Sequence, residues 1–216
     1  MTRTARTVIL AFAAISVVAP ASAQDPYGDP PAISLRPFFL VSGQNFTAKE
    51  TFKAVFGRTV EPFWGGGAQV AFRNGLFADV TVSRFKATGE RAFRFEGQNF
   101  GLGIPLTVTE TPVEVSGGYR FRISPRLLPY VGAGIGSYSY RETSDFSTDD
   151  ENVKTRHTGY LVTGGAEFRL GRLLGLTADV QYTHVPGILG DGGISKEADE
   201  NDLGSVAARF RVIVGR

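Results

Sequence analysis

The sequence predicts an all-β fold, an eight-stranded antiparallel up-and-down transmembrane β-barrel. Three observations carry that expectation: an export segment at the N-terminus, period-two alternation of apolar and polar residues over most of the remaining chain, and connections that alternate between short and long. Composition agrees. Glycine supplies 27 of 216 residues, with 11 prolines and 17 phenylalanines beside it, which argues against a helical bundle. Cysteine is absent, and with it a disulfide scaffold, a thiolate zinc site and a thiol nucleophile.

Arg3 and Arg6 precede an apolar run from Val8 to Ala19, and Ala21-Ser22-Ala23 closes it. This is the three-part layout of a secretory signal peptide, and the run is shorter than the ~20 apolar residues of a spanning helix. The expected organisation is a signal peptide over 1–23, a short periplasmic segment over 24–32 and a barrel over 33–216. The whole sequence carries 23 Lys and Arg against 21 Asp and Glu. Arg3 and Arg6 leave with the signal, so the exported chain is formally neutral and offers nucleic acid no long-range attraction.

Strands are predicted near 33–46, 64–73, 76–86, 105–121, 129–141, 157–170, 175–185 and 204–214. The runs from Trp64 to Arg73 and from Leu76 to Ser83 alternate on either side of Asn74-Gly75. That dipeptide is the strongest short hairpin signal, and a type I′ turn is expected because both residues tolerate positive φ. The connections at 123–128 and 171–174 are also short. Those at 47–63, 87–104, 142–156 and 186–203 are long and polar, so all short turns fall at one end and all long loops at the other.

In a membrane barrel the polar phase faces inward, the reverse of a soluble one. The charged residues of that phase are Arg36, Arg73, Asp79, Glu110, Glu114, Arg120, Glu167, Arg169, Asp179, Arg209 and Arg211, accompanied by Gln69, Thr81, Ser83, Thr177 and Gln181. Lysine does not occur among them, although open water favours it. Arginine and carboxylate suit compact, fork-shaped pairing in a closed space. The expectation is a lumen filled by ion pairs. The opposite phase, including Val80, Val82, Val113, Val115, Val131, Ile135, Val162, Val180 and Val212, forms the lipid-facing band. Two aromatic girdles are expected, with Trp64, Tyr160 and Tyr182 toward the long loops and Phe72, Tyr119, Phe121, Phe168 and Phe210 toward the short turns.

The segments Val115-Ser116-Gly117-Gly118-Tyr119-Arg120-Phe121 and Pro129-Tyr130-Val131-Gly132-Ala133-Gly134-Ile135-Gly136 resemble the eight-stranded outer-membrane β-barrel family. That family includes the transmembrane domain of OmpA-like proteins and the small adhesin-type barrels. The resemblance covers residues 33 to 216 and implies residence in a bacterial outer membrane. It implies structural proteins, adhesins, narrow pores and a few lipid-modifying enzymes as functional neighbours. Such barrels usually end on an aromatic residue, whereas this sequence ends Phe210-Arg211-Val212-Ile213-Val214-Gly215-Arg216. No periplasmic peptidoglycan-binding domain follows the last predicted strand.

Chemistry-bearing motifs are sparse. His157 and His184 fall near the long-loop rim, but neither His157-Thr158-Gly159 nor His184-Val185-Pro186 has the His-x-Ser arrangement that resemblance to the lipid-deacylating members of that family would require. Acids cluster at Glu142, Asp145, Asp149, Asp150 and Glu151, and at Asp191, Glu197, Asp199, Glu200 and Asp202, without EF-hand spacing. No catalytic residue, cofactor or metal is therefore assigned. The expected role is a non-enzymatic, monomeric barrel serving envelope integrity or surface interaction, with outer-membrane lipid and lipopolysaccharide around it and an extracellular partner reached through the loops. A narrow ion or small-solute pore and a rim-histidine lipid-modifying enzyme are the alternatives.

Overall fold

In the computed structural model, which describes residues 31–95, 98–144, 154–189 and 193–215, eight antiparallel strands close into a barrel in simple sequence order. The elements are β1 (Ile33–Phe46), α1 (Lys49–Phe56), β2 (Val60–Phe72), β3 (Leu76–Phe95), β4 (Gln98–Arg120), β5 (Leu127–Thr143), β6 (Lys154–Arg169), β7 (Leu174–His184), α2 (Gly193–Glu197) and β8 (Ser205–Val214). Closure comes from β8 pairing with β1, from Phe38 opposite Ile213 to Phe46 opposite Ser205. No sheet edge remains around the wall, which is the condition for strands to sit in hydrocarbon. The expected signal peptide lies outside the described residues.

The faces are inverted relative to a soluble barrel. Along β8 every second residue is buried, and the buried set includes Arg209 and Arg211 while Val206, Phe210, Val212 and Val214 are exposed. On β3, Asp79, Thr81 and Ser83 are buried while Val80 and Val82 point outward. A water-soluble protein would leave these valines inside. Exposed apolar side chains encircle the barrel, and polar side chains fill it.

Two of the four connections expected to be long polar loops are largely regular structure, and a third holds α2. Residues 87–104 continue the ladder: β3 and β4 stay paired out to Phe95 opposite Gln98, with one register shift between Glu90 and Ala92. Cross-strand contacts hold this extension, including Thr88 and Thr107 hydroxyls 3.0 Å apart and stacked Phe93 and Phe100 rings with centroids 5.3 Å apart. In 47–63, the spacing of Phe52 and Phe56 gives α1 an apolar stripe, and Gly57 ends the helix at φ 70° while its N–H bonds the Lys53 carbonyl at 2.9 Å. The stripe is too short to register among the charged residues around it.

The Asn74-Gly75 hairpin is tight but is not type I′. Gly75 has φ 97°, whereas Asn74 is not among the residues of positive φ. The Gly75 N–H bonds the Phe72 carbonyl at 3.0 Å, and Asn74 Oδ1 accepts from the Leu76 N–H at 3.1 Å. This is a three-residue loop whose last residue takes the left-handed conformation. The side chain of Asn74 stabilises the turn through its oxygen rather than through tolerance of positive φ.

Gly67 shows why the strands are glycine-rich. A Cβ there would stand 1.9 Å from the Val80 carbonyl oxygen and 2.8 Å from the Phe38 ring, so backbone and ring occupy the space a side chain needs. Gly67→Ala is expected to lower unfolding free energy by about 1–3 kcal/mol in urea titrations of the refolded protein. Gly171→Ala, with nothing within 4 Å of the added carbon, is the control and should leave the midpoint in place.

Candidate functional site

Toward the short turns, the interior is built around Glu167 of β6, which is 1% exposed. The Arg36 guanidinium on β1 donates both arms to it, Nη1 to Oε2 at 2.9 Å and Nη2 to Oε1 at 2.5 Å. Arg36 Nη1 also donates to Gln69 Oε1 at 2.9 Å. Arg120 and Arg169 approach the same carboxylate at 3.5 and 3.4 Å. A bidentate fork on a rigid strand fixes geometry as well as charge. A buried carboxylate without such partners would cost several kcal/mol.

The next layer centres on Asp179 of β7. It accepts from Arg209 Nε at 2.5 Å, Tyr130 Oη at 2.6 Å and Thr163 Oγ1 at 3.1 Å. Arg211 donates Nη1 to Asp79 Oδ2 at 2.8 Å, Nη2 to Tyr130 Oη at 2.6 Å and Nε to Thr177 Oγ1 at 3.1 Å. Tyr130 thus accepts from one charge and donates to the other, a relay in which each bond polarises the next. Arg211 also lies 5.2 Å from the Phe38 ring centroid and 5.5 Å from that of Tyr130, within cation–π range. Above it, Arg209 donates to Gln181 and stands 3.9 Å from Glu114. Glu114 Oε1 accepts from Tyr138 Oη at 2.8 Å and Gln181 Nε2 at 2.9 Å.

Toward the long loops the interior turns apolar. Phe46, Phe63, Phe85, Leu106, Val108, Tyr138 and Tyr140 occupy inward positions, and α1 folds over them with Phe52. Phe46 and Phe52 stack at 3.9 Å between centroids, Phe63 and Phe85 at 5.3 Å. Val185, Ile188 and Leu203, which lead into, lie within and end the 186–203 connection, complete this plug. The polar-phase pattern therefore reverses where the ladder rises into the mouth. Phe63 precedes the strand expected from 64, while Phe85, Leu106 and Val108 fall inside expected strands but put apolar side chains on the phase that is polar lower in the barrel.

The plug is fastened by acids. Ala48, at the N-cap of α1, has no side-chain bond to give. The Glu200 carboxylate serves instead, accepting from the Glu50 and Thr51 N–H groups at 2.9 Å each and from Thr51 Oγ1 at 2.7 Å. An anion there also complements the positive end of the helix dipole. Asp202 accepts from the Val185 N–H at 2.7 Å and the Gly204 N–H at 2.8 Å. Glu61, fully buried, takes both arms of Arg58 at 2.8 Å. Sequence reasoning misses Glu200 and Asp202 as structural parts because clustered acids in a connection read as solvated charge.

Of the charged residues expected in the lumen, Arg36, Asp79, Glu114, Arg120, Glu167, Arg169, Asp179, Arg209 and Arg211 come together. Arg73 does not: it is exposed in the turn after β2, where its carbonyl accepts from Arg122 at 2.7 Å. Glu110 is buried inside but stands at the border of the apolar plug, and among the described residues no cation pairs with it. Phe72, Tyr119, Phe121 and Phe168 are exposed near the short turns, and Trp64, Tyr160 and Tyr182 near the long loops. Phe210, expected at the turn end, lies mid-strand opposite Val41 and Ala178, because β8 runs on to Val214. His184 Nδ1 lies 2.9 Å from Asp202 Oδ2, and His157 sits beside Gly187; no hydroxyl nucleophile is bonded to either ring among the described residues. Asp145, Asp149, Asp150, Glu151 and Asp191 lie outside the described residues.

Replacing Glu167 leaves Arg36, Arg120 and Arg169 facing one another without their anion. Glu167→Gln should cost about 3–5 kcal/mol by urea titration, against less than about 0.5 kcal/mol for the exposed Lys49→Gln. Glu200→Ala removes a helix cap worth about 1 kcal/mol. Limited proteolysis should then cut within 47–59 about fivefold faster, with the heat-modifiable gel shift of the closed barrel unchanged.

Among solved structures, the fold is similar to Ail, the attachment invasion locus protein of Yersinia pestis, in complex with the heparin analogue sucrose octasulfate. The two are 13% identical with a TM-score of 0.50, over 84% of this chain and 95% of that one. Neisserial surface protein A is 14% identical with a TM-score of 0.50, over 84% of this chain and 99% of that one. A major outer membrane protein from Thermus thermophilus is 12% identical with a TM-score of 0.50, over 83% and 98% respectively. At these identities the likeness is one of fold. No curated protein matches the chain. The family described as the outer membrane protein beta-barrel domain matches residues 7–204, nearly the whole length, and the protein is therefore a member of that family of bacterial outer-membrane barrels.

Proposed function

We propose that this protein is a non-conducting, non-enzymatic barrel that serves the envelope as a structural element and meets the exterior through its long connections. The observation that carries this reading is the double seal of the interior. Ion pairs from Arg36 to Arg211 cross the lumen, and the phenylalanine plug under α1 covers the mouth. An eight-stranded barrel has an interior only wide enough for its own side chains, and here those side chains are mutually bonded. Passage of an ion would require breaking buried pairs and lifting an apolar lid together.

The same arrangement distinguishes two kinds among the described parts of the connections. Those at 47–59 and 186–203 fold inward and are bound to each other through Glu200 and through Thr47, which donates to the Gly204 carbonyl at 2.8 Å. The β3–β4 hairpin instead runs on past the ladders of its neighbours and presents Phe93, Phe100 and Leu102, which are 45%, 41% and 51% exposed. Exposed apolar side chains on a projecting ribbon favour contact with another surface. Ail, which shares the fold, is described as an attachment protein, and that use of such a barrel supports the surface-contact reading.

Planar-bilayer recordings of the refolded protein should give only small, rare openings; a steady nanosiemens conductance would overturn the closed-lumen reading. Mass spectrometry of lipid A from membranes carrying the protein should show acyl chains and phosphates unchanged, and a new lipid A species would favour the enzymatic alternative.

A further inference from the structure

At the short-turn end of the interior the buried charges do not balance. Arg36, Arg120 and Arg169 share a single carboxylate among the described residues, that of Glu167. Arg36 and Arg120 are 2% and 6% exposed, so water does little to screen them. The acids of the layer above, Asp79 and Asp179, are taken by Arg211 and Arg209. Acceptors are as scarce as anions. Arg36 uses both Glu167 oxygens and shares Gln69 Oε1 with Arg120, and the Nε–H groups of Arg36 and Arg120 are buried with no hydrogen-bond partner among the described residues. The turns below supply none, since residues 72–76, 120–128 and 168–175 contain six arginines and no acid. A buried surplus of this kind is costly unless a counter-charge meets it.

Where that surplus lies, the base of the barrel has a slot lined by Arg120, Arg122 and Arg169 together with Ser34, Gly75 and Leu128. Arg122 is steadied there by donating Nη2 to the Arg73 carbonyl at 2.7 Å. The slot leaves about 10 Å³ for the centre of a water-sized particle, which is room for one. A water molecule in it would leave the surplus uncompensated. A phosphate or sulfate, with four oxygens around its central atom, is too large. A single-atom anion carries the required charge and accepts from several N–H donors at once. The Arg169 side chain is 23% exposed and partly screened by water, so one negative charge suffices.

We propose that this slot binds one halide-sized inorganic anion, chloride in ordinary salt solutions, held by Arg120, Arg122 and Arg169 as the counter-ion that the Glu167 layer lacks. The ion enters from the short-turn side and stops there, because the Arg36–Glu167 fork lies behind it. The site therefore completes the lower seal of the lumen and ties the stability of the barrel to the anion present.

The test is NMR of the chloride nucleus with the full protein refolded in uncharged detergent, gluconate serving as the balancing anion. Chloride exchanging with the slot should broaden its line. Bromide, close to it in size, should remove the excess width, and phosphate at equal ionic strength should not. Arg122→Gln should weaken binding about tenfold, and Arg122→Gln with Arg169→Gln should abolish the excess width. Arg84→Gln with Lys86→Gln, an equal change of charge on the outer wall, should leave it in place. The urea midpoint of the unaltered protein should be higher in chloride than in gluconate, a difference lost in the Arg122→Gln, Arg169→Gln variant. Heat-modifiable migration verifies closure of each variant, and the bromide and phosphate competitions need no variant. No excess width with the unaltered protein, width that survives Arg122→Gln with Arg169→Gln, equal loss in the outer-wall variant, or displacement by phosphate ahead of bromide would each overturn the proposal.

Discussion

The pairing of β8 with β1 is the constraint on which the remaining architecture depends. In hydrocarbon no water is available to satisfy a backbone N–H or C=O, so a sheet can cross only if its last strand bonds to its first. Closing eight strands leaves a narrow interior and exposes the entire outer surface to lipid. The outward phase must then be apolar, and the alternation of the pleat delivers every other residue to the inside. What enters that space has to be polar enough to oppose the lipid face and paired in charge once buried. Arginine with aspartate or glutamate, bridged by tyrosine and threonine hydroxyls, meets both demands. The cost of a buried charge is offset by giving Glu167 and Asp179 several donors each rather than one.

Much of this wall is legible in the sequence because membrane strands impose a strict two-residue period. Arg209 and Arg211 can be assigned to one face from spacing alone, and Asp79 and Asp179 likewise. The period is informative only while the two sides differ. Above the membrane both sides of β3 and β4 meet something other than lipid, the inward phase changes from Asp79 and Thr81 to Phe85, and the pattern that marks the strand dissolves. The extended hairpin consequently reads as a loop. Glu110 sits at this transition, on the correct face but above the last layer of arginine. Arg73 keeps the alternation one residue beyond the strand, into a turn where facing has no meaning.

The mouth is illegible for a different reason. Nothing local marks Glu200 as the cap of α1, since the helix it serves lies in another connection and the relation exists only once the barrel has brought the two together. Sequence motifs for caps look to neighbouring residues. Here the neighbouring residue is Ala48, which contributes nothing, and the acid comes from across the mouth. Asp202 is misread by the same logic, as surface charge rather than as an acceptor for backbone donors.

That remote cap orders the events of assembly. A helix of eight residues is too short to persist alone, and its capping contact joins residues 150 apart in sequence, so the entropy of so long a closure has to be met by something else first. The ladder of β7 and β8, and its return to β1, does this. The lid can be capped only once the chain around the final strand is in place, although the lid itself is made near the beginning of the chain and rests on Phe46 and Phe85. Fastening it coincides with completion, and the state of the cap reports whether the circle has closed.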